Sequence, residues 1–125
     1  GQIWEAIILQ SRLCLDNLIL IIDQNRLQLD DYVRNVSGDE NYLERFRAFG
    51  FHAIGVDGHD FLQIDQAFKE VQPGRANVII ASTVKGKGIS FMENEIAWHA
   101  KKLSAAEYEA ALAELKEEEA SLCMN

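Results

Sequence analysis

Apolar positions along the chain follow two spacings in turn, and their alternation predicts the fold class. Over residues 2–13, Ile3, Ile7 and Ile8 recur with helical spacing, whereas Asn17 to Ile22 is a compact apolar run ending at Asp23, as in a buried strand. From Asp39 to Phe49, Leu43, Phe46 and Phe49 repeat every three residues and Gly50 supplies a stop signal, which predicts a short helix. His52 to Val56 reads as the next strand. Asp60 then caps a helix whose apolar stripe is Phe61, Ile64, Phe68 and Val71, closed by Pro73-Gly74. Asn77 to Ser82 is another buried strand. Ser104 and Glu107 form a capping-box pattern ahead of Tyr108, Leu112 and Leu115, predicting an amphipathic helix over 104–120.

Short buried strands separated by helices predict an α/β fold, a parallel sheet flanked by helices, because parallel neighbours need crossovers of this length. No repeat, low-complexity tract or linker divides the sequence, so residues 1–125 are expected to form one domain. In such sheets ligands gather beyond the carboxyl ends of the strands. That places the chemistry in Asp23 to Leu29 and Thr83 to His99.

Composition narrows the partners. With 125 residues, 48% hydrophobic, the chain can bury one core. Its 12 basic and 20 acidic residues, net charge −8, disfavour a broad nucleic-acid or anionic-membrane surface. The acidic C-terminal stretch, Glu107 to Glu119, reads as a solvated helix face. Cys14 and Cys123 form no CxxC or zinc-like set. The apolar run Leu18 to Ile22 is too short to span a bilayer, and no signal-like segment opens the sequence. A soluble, cytoplasmic protein with reduced thiols is expected. The first residue is Gly1, as in a processed chain or a piece of a longer one.

Taken singly, the candidate segments stay ambiguous. Asn25, in Asp23-Gln24-Asn25-Arg26-Leu27-Gln28, follows a strand and reads as a turn former or as a ligand at the sheet edge. Thr83-Val84-Lys85-Gly86-Lys87-Gly88-Ile89 carries two lysines and exposed amides suited to phosphate, but it lacks the Walker spacing and, taken alone, reads more readily as a flexible surface turn with solvated lysines. His52 and His59 are placed as structural residues. His99, in Ala97-Trp98-His99-Ala100, follows a long irregular connection from which an imidazole can reach a ligand.

In combination the segments say more. Gly1-Gln2-Ile3-Trp4-Glu5-Ala6, Leu15-Asp16-Asn17-Leu18-Ile19, Asp23-Gln24-Asn25-Arg26-Leu27-Gln28, Phe46-Arg47-Ala48-Phe49-Gly50 and Val56-Asp57-Gly58-His59-Asp60 resemble, in order and spacing, the transketolase family. So do Thr83 to Asn94 and Trp98-His99, which look like the enzymes whose amino-terminal half is a separate polypeptide. The resemblance runs from Gly1 to about Ser104 and corresponds to the second half of the domain that binds the diphosphate of thiamine diphosphate.

This resemblance implies that Asn25 gives its side-chain oxygen, and Leu27 its backbone carbonyl, to a divalent cation bridging the diphosphate. Hard oxygens suit Mg²⁺ or Ca²⁺. It implies that His99 lies near the diphosphate and the reacting substrate hydroxyl, for hydrogen bonding or proton transfer. Glu5 matches a glutamate near a subunit interface. The implied activity is transfer of a two-carbon ketol unit between sugar phosphates, as in the pentose phosphate pathway. Implied partners are a second copy of the chain, a polypeptide carrying the pyrimidine-binding domain, or both.

Two departures bear on this. Gly1 matches the second glycine of the family's Gly-Asp-Gly, so the motif's metal-binding aspartate is not among these residues, and the 125-residue chain alone is expected to be inactive. After His99, Ala100 stands where the family has glycine, which matters if that position needs a positive φ. The alternative expectation is a noncatalytic module that pairs with itself or a partner. A deoxyxylulose-phosphate synthase is a further possibility, but Trp4-Glu5-Ala6 and Lys85 to Asn94 look more like transketolase.

Overall fold

The structure, a computed structural model, describes residues 1–38 and 41–123. In chain order the elements are α1 (Gln2–Leu13), β1 (Ile19–Gln24), β2 (Leu27–Gln28), β3 (Asp31–Tyr32), α2 (Val33–Val36), α3 (Tyr42–Ala48), β4 (His52–Asp57), α4 (Phe61–Lys69), β5 (Asn77–Ser82), a 3-10 turn (Ile96–His99) and α5 (Ala105–Leu122). They fall into two compact units: Gly1–Gln24 with Asp39–Thr83, and Asn25–Gly38 with Val84–Asn125.

The first unit is the expected α/β arrangement. Its sheet has the order β1-β5-β4, with both pairings parallel; Ile19 and His52 flank Asn77 at one end, and Gln24 and Asp57 flank Ser82 at the other. The central strand β5 is buried from Asn77 through Ile80. Strand residues alternate between two faces. Leu20, Ile22, Ala53, Val78 and Ile80 pack with Trp4 and Ile7 of α1 and Phe46 of α3, while Ile19, Ile54, Val56 and Ile79 pack with Ile64 and Ala67 of α4. Phe46 and Phe51 meet edge to face at 5.3 Å, an arrangement worth about 0.5–1.5 kcal/mol beyond the area it buries.

Local signals explain where these helices begin and end. Asn41 caps α3 by accepting from Glu44 N–H, and Asp60 caps α4 by accepting from Leu62 and Gln63 N–H. Gly50, at φ 87°, ends α3: its N–H reaches Arg47 O while Phe51 N–H reaches Phe46 O, the paired bonds of a Schellman stop. The predicted start of this helix at Asp39 lies outside the described residues.

Two expectations need correction. The inward side of α4 is Ala67, which is buried, and half-buried Ile64, with Val71 half-buried just past the helix and Phe61 86% and Phe68 44% exposed. Small Ala67 lets the helix approach the sheet, and Phe68, one position on, is turned away. The first strand runs Ile19–Gln24, two residues later than the apolar run suggested, because pairing with β5 extends through Asp23 and Gln24.

The second unit begins with an antiparallel hairpin, β2 and β3, in a stretch where the sequence pattern predicted no element. Its long helix, α5, carries the predicted capping box: Ser104 accepts from Glu107 N–H, and the Glu107 carboxylate accepts from Ser104 N–H and hydroxyl. Burial on α5 is light, with Ala111 buried and Tyr108 and Leu115 exposed. Cys14 and Cys123 are free and exposed. Among the described residues no helix is long and apolar enough to cross a membrane.

Candidate metal and diphosphate site

The hairpin arranges Asn25 and Leu27 in a way their sequence spacing alone does not reveal. Arg26 between them is left-handed at φ 63°, a conformation that costs a non-glycine residue about 1–2 kcal/mol. This reversal brings Leu27 N–H to Asn25 Oδ1 at 3.0 Å. Val33 N–H bonds Arg26 O at 2.9 Å, so the pair Leu27↔Tyr32 is of the non-hydrogen-bonded kind. Leu27 therefore turns its N–H and its C=O away from β3. In an extended residue both point to the same side, so the carbonyl faces the side on which the Asn25 amide lies.

These donors suit a hard cation. An amide oxygen has a second lone pair after accepting one N–H, and the Leu27 carbonyl is not used by the hairpin ladder. Among the described residues no three His, Cys, Asp or Glu side chains cluster as a metal site. A cation here would rest on neutral oxygens and on the anionic group it bridges, as Mg²⁺ at a phosphate commonly does. Asp31, in the hairpin, is already engaged: the Asn35 amide and Tyr32 N–H hold its carboxyl below the usual range.

The second candidate segment is closed and internally bonded. Asn94 N–H returns to Lys85 O at 2.9 Å, and within the loop Ile89 N–H reaches Gly86 O and Met92 N–H reaches Ile89 O. Gly86 is required: at φ 77° an added Cβ would stand 2.5 Å from Met92 O. Lys87 pairs with Glu93 at 3.4 Å. Ser90 donates its N–H and hydroxyl to the Glu114 carboxylate at 2.6 and 2.7 Å, which ties the loop to α5 and lowers the Glu114 pKa.

His99 ends the 3-10 turn and is exposed. Its neighbour Trp98 donates Nε1–H to Phe91 O at 2.9 Å and packs on the Phe91 ring, while Lys101 lies 4.1 Å above the Trp98 ring and pairs with Glu107. Lys85 Nζ lies 3.2 Å from His99 Nδ1. Ala100 takes φ −135°, an ordinary value, so alanine fits there without strain.

The other sequence candidates occupy the first unit. Glu5 is exposed in the first turn of α1. His52 begins β4, with its N–H on Ala76 O, at the end of the sheet opposite Asp57. His59 follows a turn in which its N–H bonds Asp57 Oδ1. Sequence reasoning missed two features. One is the left-handed Arg26, which no glycine or asparagine at that position announces. The other is a hydrogen bond from Thr83 Oγ1 to the Asp23 carboxylate, at the carboxyl ends of neighbouring strands, which correct strand order would have suggested.

Comparison with known proteins identifies the family. Residues 1–121 match the family described as transketolase, thiamine diphosphate binding domain. The chain belongs to the transketolase family. It is 38% identical over 120 residues to a 6-deoxy-6-sulfo-D-fructose transketolase subunit of Clostridium sp. (strain MSTE9), matching 94% of this chain and 44% of that one. It is 38% identical over 119 residues to an apulose-4-phosphate transketolase subunit of Actinobacillus succinogenes, 94% of this chain and 43% of that one. Against human transketolase it is 41% identical over 103 residues, 82% of this chain and 16% of the human enzyme. The crystal structure of Campylobacter jejuni transketolase superimposes with a TM-score of 0.82 at 30% identity, over 90% of this chain and 18% of that one. This transketolase-family chain thus spans less than half the length of these relatives.

Proposed function

We propose that the chain supplies the metal and diphosphate side of a thiamine diphosphate site in a cytoplasmic transketolase that moves two-carbon ketol units between sugar phosphates. The observation that carries this reading is the left-handed Arg26, which turns the Asn25 amide and the Leu27 carbonyl to one side of the hairpin. Strain of this kind persists where surrounding structure over-determines it, and it gathers at ligand sites. Asn25 Oδ1 and Leu27 O would hold Mg²⁺ or Ca²⁺, and His99 would hydrogen-bond oxygens of the diphosphate or substrate. Bound thiamine diphosphate supplies the electron sink for breaking and remaking a carbon–carbon bond. The residues of this chain position it.

Relatives named as transketolase subunits support a complete enzyme made with a partner polypeptide or a second copy. Glu5 would lie at such a contact, beside the exposed Ile8 and Leu9 of α1. The same apolar row favours, as a second reading, a noncatalytic pairing module. Sedimentation at rising concentration tests for pairing, and a chain that stays monomeric counts against self-association.

The test is calorimetric titration of thiamine diphosphate with Mg²⁺ into the chain and into Asn25→Ala. Saturable binding that Asn25→Ala weakens at least tenfold is expected if the hairpin holds the cation. Equal binding by both proteins would remove Asn25 from the site, and absence of binding to either would show that this chain does not capture the cofactor unaided.

A further inference from the structure

The contact between Lys85 and His99 decides what kind of hydrogen-bonding group the imidazole is. An ammonium carries three donors and no acceptor, whereas each nitrogen of a neutral imidazole either carries a proton or offers a lone pair. With Lys85 Nζ 3.2 Å from His99 Nδ1, that nitrogen must accept. The imidazole proton then resides on Nε2. We propose that Lys85 is a positioning residue that fixes neutral His99 in the Nε2–H tautomer, so that its free edge presents a donor to an anionic or hydroxyl oxygen.

Both partners are held for this. Lys85 sits at the mouth of the closed loop, where Asn94 N–H takes its carbonyl and Gly86 makes the turn beside it. His99 follows Trp98, which is held by Phe91 and covered by Lys101. Lys101 and Lys87 face carboxylates of their own, Glu107 and Glu93, so Lys85 is the lysine of this group whose described contact is the imidazole. Putting a second proton on His99 would take the Nδ1 lone pair and break the contact. The geometry therefore favours work as a donor over work as a base, which the sequence had left open.

What the donor serves rests on the proposed function, but the tautomer does not, and the test needs no cofactor. The chain, labelled with ¹⁵N in histidine, is studied by long-range ¹H–¹⁵N NMR at about pH 8.5, above the ordinary imidazole range. The His99 signals are assigned from their loss in His99→Gln. A single Nε2–H species is expected in the parent chain. Lys85→Met, which cannot donate, is expected to show a mixture including Nδ1–H, and Lys85→Arg to restore the parent pattern. Predominant Nδ1–H in the parent chain overturns the proposal, whether or not any variant folds. So do identical tautomer populations in parent and Lys85→Met. Failure of cofactor titration would leave this result standing, and Asn25-dependent binding would likewise survive its failure.

Discussion

Replacing Gly86 with alanine should open the loop that carries Lys85, and Gly88→Ala, two residues away, serves as its control. Both glycines have positive φ, 77° and 96°, so either alanine meets a backbone strain of about 1–2 kcal/mol. The surroundings differ. A Cβ at Gly88 finds Glu118 Oε2 at 3.5 Å and Leu115 Cδ2 at 3.6 Å, ordinary contact, whereas a Cβ at Gly86 overlaps Met92 O at 2.5 Å and Met92 C at 2.7 Å. Backbone cannot swing aside as a side-chain tip can, and overpacking of this kind costs about 1–3 kcal/mol. Gly86→Ala should thus be destabilised by about 1–3 kcal/mol more than Gly88→Ala. Urea unfolding gives that difference, and amide exchange at Asn94, whose N–H closes the loop on Lys85 O, should accelerate much more in Gly86→Ala. If the two variants match within about 0.5 kcal/mol and Asn94 exchanges alike in both, the reasoning fails.

Two further outcomes follow from groups described above. Asn77 is buried, with its amide donating to Gln72 O and Arg75 O and accepting from Gln72 N–H; Asn77→Ala should cost about 2–3 kcal/mol in urea unfolding. A loss near zero would mean that the network adds nothing. Glu107, bonded first by Lys101 and then by Ser104 N–H and hydroxyl, has its pKa lowered from 4.5 to about 2. A depressed carboxyl stabilises fully above its unfolded value, and that contribution is lost as pH falls from about 4.5 toward 2. Circular dichroism should show α5 losing helix over that window, with a smaller acid step in Glu107→Gln. An unchanged step would remove the capping box as its cause.

The sequence carried most of the first unit because its signals there are local. A run of β-branched residues between polar ends marked β5 residue for residue, and Asp60 and Gly50 announced helix boundaries by chemistry that acts within a turn, as Ser104 did in the second unit. Phe61 and Phe68 misled because a stripe read at helical spacing does not say which small residue the sheet will accept, and Ala67 proved to be the contact. The site was legible as a set of residues but not as geometry. Two-residue strands such as β2 and β3 lie below any periodicity, and Arg26 adopts a conformation that the hairpin imposes against its own preference. The contact of Lys85 with His99 joins residues brought together by loop closure, which no spacing rule foresees.

The position of β5 also constrains how the chain can be made. The central strand of the sheet is the last of its three in sequence, and roughly 60 residues separate β1 from the partner that covers its edge. At a synthesis rate of about 5–20 residues per second, β1 waits about 3–12 s on the ribosome before β5 exists to pair with it. During that interval Leu18 to Ile22 is an unpaired, strongly apolar strand, the kind of segment that associates with other nascent chains or recruits chaperones. Yield on expression should therefore respond to translation speed between β1 and β5 more than to the stability of the finished fold.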